Sequence, residues 1–324
     1  MEKRICELHL KIDETELIPR IQQLYSELDE KKIPLHPACY LADEWFSPED
    51  VPAIAIPFYL VHPRLKKLEY KMMLEVEGET EEWCLRLLRH ETGHALSHAY
   101  LLHKQSHWQK IFGSPAKEYS ETYRPRPYSR SFVIHLENWY AQSHPEEDFA
   151  ETFAVWLTPQ LDWREKYKGW KALKKLEYVD QLMKEIPKTP PLVKSGEKAY
   201  SVSMLRLKLR TYYQRRRKLY AQDFPDFYDA DLKKLFSDSV PQGATEKAAH
   251  FLKRFHKRLL QILPIWTGEK KYAIDKLLRD LVKRCEDLSL YVKKGESEMV
   301  LEVVAYLTTL VTNYHHTGKY KRLI

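Results

Sequence analysis

The sequence predicts an α+β chain: a small mixed sheet with helices in the first half, then a mostly α-helical, basic domain. Three observations carry this. Short apolar runs alternate with acidic turns over the first fifty residues, and a run rich in Ile, Phe, Tyr and Val follows at Val51 to His62. From about Lys166 onward apolar residues recur at helical spacing among Lys and Arg. Charge divides the same way: residues 1 to 160 hold 18 Lys and Arg against 26 Asp and Glu, a net −8, and the remainder 35 against 20, a net +15.

In chain order, a first strand is predicted near Cys6 to Ile12 and a helix near Leu17 to Leu28. Val51 to His62 contains Pro52 and Pro57, which remove ladder donors, so it reads as an edge strand, with Tyr70 to Glu77 beside it. After Gly78, Thr80 stands as an N-cap with Glu81 and Glu82 in the first turn, where they favour the positive end of the helix dipole. Trp83, Leu85, Leu87, Leu88, Ala95, Leu96, Tyr100 and Leu101 then keep one helix largely apolar. Tyr119 to Ser131 is a Pro, Arg and Tyr rich loop, and Pro145 opens a second helix running to about Leu157. Beyond it, helices are predicted near Leu173 to Glu185, Ser203 to Tyr220, Thr245 to Leu263, Tyr272 to Lys293 and Ser297 to Thr312. Glu185 to Gly196 carries three prolines, so the expected division is 1 to 165, a helix and Pro-rich linker over 166 to 195, and a helical domain over 196 to 324.

Composition narrows the function. No stretch approaches the roughly 20 apolar residues that span a bilayer, and nothing near the start reads as a charged then apolar leader, so the expectation is a cytoplasmic protein without a membrane segment. Cys6, Cys39, Cys84 and Cys285 are scattered with no C-x-x-C pair, so neither a disulfide framework nor a cysteine zinc site is suggested.

The chemistry gathers on the first long helix, which spells His90-Glu91-Thr92-Gly93-His94. Residues four apart on a helix differ by about 40° in azimuth, so both imidazoles can reach one ion. Glu91 is then aimed beside that ion, where it can take a proton from water as general base. Downstream, the second helix carries a carboxylate pair at Glu147 and Glu151, with Tyr140 seven residues before it. A catalytic zinc takes three protein ligands and keeps one position open, and two histidines with one glutamate are a standard set. His98 lies four beyond His94, but three histidines over two turns drift by about 80°, so it reads as packing or support for a ligand.

His90-Glu91-Thr92-Gly93-His94 with Glu147-Asp148-Phe149-Ala150-Glu151 resembles the gluzincin metallopeptidases, and within them the anthrax lethal factor-like branch and bacterial zinc-binding metallopeptidases. The resemblance covers roughly residues 50 to 160. It implies a zincin-like catalytic domain, one zinc per chain, Glu147 as third ligand, Glu151 as the carboxylate that orients a ligand histidine, Tyr140 as a hydrogen-bond donor to the oxyanion, and peptide or protein substrates. The metzincin pattern is absent, because Ser97 and Tyr100 stand where it requires Gly and His. An extended substrate is expected to add to the strand near Ile54 to Leu60.

A second reading is a nucleic-acid or partner-binding protein whose zinc is structural or inactive. Arg206 to Lys218 interleaves Tyr212 and Tyr213 with seven cations, as nucleic-acid binders do. The same run also describes an amphipathic helix that packs Leu205, Leu209, Tyr212 and Leu219 inward.

Overall fold

The computed structural model of the chain describes residues 1–119, 123, 125–194, 196–220, 228–239 and 246–316. Its contacts divide into two compact units, one of Met1–Lys71 with Val76–Tyr212, the other of Met72–Glu75 with residues from Tyr213 onward.

The first unit begins with a 3-10 turn, Ile5–Leu8, where a strand was predicted. The Ile5 and Cys6 amides donate to the carbonyls of Leu207 and Leu205, each at 3.0 Å, and Arg4 bridges Lys208. Those contacts engage residues 205–208 outside any helix, so the helix predicted from Ser203 starts only at Leu209. Helix α1 (Leu17–Glu30) buries Leu17, Ile21, Leu24 and Leu28, spaced three and four apart. Strands β1 (Ala38–Ala42) and β2 (Ala53–Pro57) pair in parallel, from Ala38 against Ala53 to Ala42 against Pro57.

The sheet among the described residues is thus two parallel strands, not the mixed sheet expected. Tyr70 to Glu77 does not join it: helix α2 (Pro63–Met73) runs through the first four of these residues, with Leu65, Leu68, Met72 and Met73 on its covered side and Tyr70 exposed. The predicted strand rested on apolar content, and three-to-four spacing wins over it. Ile54 to Leu60 is buried throughout, and the Ala55 amide donates to the Phe46 carbonyl at 2.8 Å. This stretch therefore does not offer the open edge on which an extended substrate was placed.

Helix α3 (Glu81–Tyr100) is capped as predicted: the Thr80 hydroxyl accepts from the Trp83 amide at 3.3 Å, with Glu81 and Glu82 in the first turn. Leu101, left-handed at φ 48°, ends it. Arg89 anchors α3 to α1 through a buried fork on Glu27, Nε to Oε2 and Nη2 to Oε1, each 2.7 Å. After α4 (Ser106–Phe112), α5 (Pro145–Leu157) opens with Pro145 at its first position and His144 as cap, its ring accepting from the Glu146 amide at 3.2 Å.

Helices α3 and α5 approach closely at Gly93. A methyl group built there would come within 2.7 Å of Ala150 Cα and 3.2 Å of its carbonyl oxygen. Only a residue without a side chain allows these backbones so close. The short α6 (Trp163–Lys166) and then α7 (Leu173–Glu185) follow; α7 has the bounds predicted, and its Asp180 accepts from the Trp156 indole at 3.0 Å.

Helix α8 (Leu209–Tyr220) buries Leu209, Tyr212 and Tyr213, while Leu219 is exposed. The Tyr212 hydroxyl donates to the Asp43 carbonyl at 2.9 Å. The two rings read as base-stacking candidates are thus covered by the chain itself.

In the second unit, α9 (Asp229–Leu235), α10 (Ala248–Thr267), α11 (Lys271–Asp287) and α12 (Glu296–His316) enclose a core of Leu232, Phe251, Leu259, Leu277, Leu281, Met299, Val303 and Leu307. Thr245, where α10 was predicted to begin, lies outside the described residues. Helix α11 stops six residues earlier than its apolar pattern suggested, because Ser289 turns left-handed and the Leu290 amide reaches back to the Cys285 carbonyl. No described helix is long and apolar enough to cross a membrane.

Candidate metal centre

The close approach at Gly93 and Ala150 brings the motif on α3 opposite the acidic first turn of α5. His90 and His94 present their Nε2 atoms to each other at 3.2 Å, and Glu147 Oε2 lies 3.1 Å from each. Three atoms from two helices thus form a nearly equilateral triangle. Ligand atoms around a tetrahedral zinc, at bond lengths of 2.0 to 2.1 Å, stand about 3.3 Å apart. The donor set and its spacing both fit such an ion. Among the described residues no fourth His, Cys, Asp or Glu donor joins the group.

The surroundings set each group's charge and direction. Glu151 Oε1 accepts from His90 Nδ1 at 2.8 Å and its Oε2 accepts from the Leu136 amide at 2.8 Å. With Nδ1 donating to Glu151, His90 faces its Nε2 into the triangle. Burial works against charge on His90, but Glu147 and Glu151 outweigh it and raise its pKa well above the ordinary imidazole value. Burial likewise opposes ionisation of Glu147, and His94 and His90 hold it well below the usual carboxylate range all the same. Two buried carboxylates facing two imidazoles require a positive charge among them.

Glu91 stands apart from the triangle. Burial raises its pKa against the opposing pull of His90 and His94, and its Oε2 is buried with no hydrogen-bond partner among the described residues. An orphaned carboxylate oxygen is costly, and such atoms concentrate where a reacting molecule completes the pairing. The Tyr140 ring centroid lies 5.7 Å from that of His90. Two successive left-handed residues, Asn138 at φ 60° and Trp139 at φ 53°, turn the chain into the 3-10 segment Tyr140–Gln142 that puts it there.

The structure thus gathers His90, Glu91, His94, Glu147, Glu151 and Tyr140 in one place, while His98 belongs to a different cluster. Sequence reasoning missed two contributors. Tyr119 donates to Glu146 Oε2 at 2.7 Å, reaches Glu147 Oε1 at 3.4 Å and stacks on His144 at 3.5 Å between centroids; nothing in its Pro and Arg rich surroundings marked it. Gly93 was visible as an isolated glycine inside a helical pattern, a common sign of close packing.

Residues 78–182 match the model of a family described as "Putative zinc-binding metallo-peptidase". That span contains both helices of the triangle. Comparison with curated proteins and with solved structures returns no match.

Proposed function

We propose that this chain is a zinc-dependent metallopeptidase of the gluzincin kind, similar to the lethal factor-like branch, which hydrolyses peptide bonds with Glu91 as general base. The triangle of His90 Nε2, His94 Nε2 and Glu147 Oε2 is the observation that carries the reading. Zinc, when bound, makes water more acidic and polarises a carbonyl.

The chain's own residues supply the remainder. His90, held by Glu151, and His94 direct neutral nitrogens at the ion, and Glu147 brings the negative charge. Glu91 takes a proton from the attacking water and passes it to the leaving amine. Its raised pKa suits both halves of that task, because a base poised nearer neutrality also becomes a competent acid. Tyr140 donates a hydrogen bond to the oxygen that gains charge in the tetrahedral state. Peptide or protein substrates follow from the family match.

The test combines zinc analysis and peptide hydrolysis on wild type, Glu147→Ala and Glu91→Gln. Loss of one zinc equivalent and of activity in Glu147→Ala is expected, with zinc retained and turnover reduced about 10² to 10⁴-fold in Glu91→Gln. Zinc that is indifferent to Glu147, or a Glu91→Gln variant of normal activity, overturns the reading.

A further inference from the structure

Helix α3 carries a third histidine one turn beyond His94, and the reading above gives it no role. His98 is buried, and so is His103, which lies in the 3-10 turn Leu102–Lys104 just after α3. Asp50 reaches both from the connection between β1 and β2, held left-handed at φ 51°. Its Oδ1 lies 3.7 Å from His103 Nε2 and 4.0 Å from His98 Nδ1. The two rings meet edge to face at 5.7 Å between centroids.

We propose that Asp50, His98 and His103 form a second zinc site, which ties the β1–β2 connection to the end of the helix that carries the His90 motif. The donor set is two imidazoles and one carboxylate, drawn from three segments, and their candidate ligand atoms all lie within 4.8 Å of one another. Asp50 Oδ1 is buried and has no hydrogen-bond partner among the described residues, although the residue as a whole is partly exposed. A carboxylate oxygen in that position wants a cation.

The outer atoms of these side chains are already held, as those of metal ligands usually are. Lys104 Nζ donates to Asp50 Oδ2 at 3.0 Å, leaving Oδ1 for the ion. The Ser97 hydroxyl lies 3.4 Å from His103 Nδ1, which directs Nε2 toward Asp50. One contact must be exchanged: the Asp50 amide donates to His98 Nδ1 at 3.1 Å, and this bond gives way as Asp50 Oδ1 closes on the two rings from 3.7 and 4.0 Å to zinc spacing.

Neutral imidazoles with one carboxylate suit zinc over calcium or magnesium, which prefer all-oxygen shells. The role proposed for the site is to hold the β1–β2 connection against the end of α3. It requires no peptidase activity at the first triangle.

The experiment is zinc titration of metal-stripped full-length protein by calorimetry, with elemental analysis after desalting and thermal melting with and without zinc. Wild type is expected to hold two equivalents. Glu147→Ala, Asp50→Asn and His103→Ala should each hold one, and Glu147→Ala with Asp50→Asn none. Zinc should raise the melting temperature of Glu147→Ala but not that of the double variant, a readout that needs no activity. A Glu147→Ala protein that folds yet takes up no zinc, from a wild type that takes up one, overturns this second site and leaves the peptidase reading standing. One equivalent in wild type that survives Glu147→Ala and disappears in Asp50→Asn supports the second site and overturns the first.

Discussion

Adding one carbon at Gly93 tests whether the approach of α3 to α5 builds the metal centre. In Gly93→Ala the new Cβ would lie 2.7 Å from Ala150 Cα, 3.2 Å from its carbonyl oxygen and 3.3 Å from its Cβ. Carbon atoms pack at about 3.5 to 4.0 Å, so the helices must part by about 1 Å. Neither neighbour can turn aside, since two of the three atoms are backbone. The parting adds directly to the 3.1 Å separations between Glu147 and the histidines and to the 2.8 Å bond from His90 to Glu151, because each pair spans the two helices.

Two effects oppose each other in stability. Alanine is favoured over glycine inside a helix by about 1 kcal/mol, and overpacking costs about 1 to 3 kcal/mol. The net loss should therefore be small, about 0 to 2 kcal/mol, while zinc affinity at the His90 site falls roughly 10 to 100-fold. Circular dichroism melting and zinc titration would read the two separately, in an Asp50→Asn background so that only one site is counted. Trimming the opposite side in Gly93→Ala with Ala150→Gly should not restore affinity, since the nearest atoms are Cα and carbonyl. A Gly93→Ala protein that melts higher and binds zinc as tightly as its parent would refute the reasoning.

Two further perturbations isolate other parts. Glu151→Gln keeps shape but removes the charge that holds His90 Nδ1–H, so zinc binding should weaken roughly 10 to 100-fold with little change in fold; unaltered affinity would show that Glu151 does not orient the ligand. Arg89→Ala strips the partner from Glu27, whose side chain is only 5% exposed, and should destabilise the first unit by about 3 kcal/mol or more, near 10 °C in melting temperature. A melting temperature within about 2 °C of wild type would mean that this fork contributes little.

Much of this protein could be read along one dimension because the information was local. Thr80 and the two glutamates after it mark the start of α3, Pro145 marks that of α5, and a spacing of four aligns His90 with His94 on one face. Periodicity likewise located α7, α10, α11 and α12, though not the short α9, the start of α8 or the end of α11, which Ser289 sets through a left-handed turn without glycine or proline. The sheet was misread for the reason that strand pairing is not local: β2 was recognisable by composition, but nothing in its own residues says that its partner is Ala38 to Ala42 and not Tyr70 to Glu77.

Convergence was decided only in three dimensions. Glu147 sits more than fifty residues from His94 in sequence, and it reaches 3.1 Å because Gly93 has no side chain to hold α5 away. Asp50, His98 and His103 carry no shared motif at all; a left-handed residue in one loop and a left-handed helix end at Leu101 bring them together. Spacing along a helix specifies which donors share a face, whereas the distance between faces depends on backbone packing, and no one-dimensional pattern records that distance.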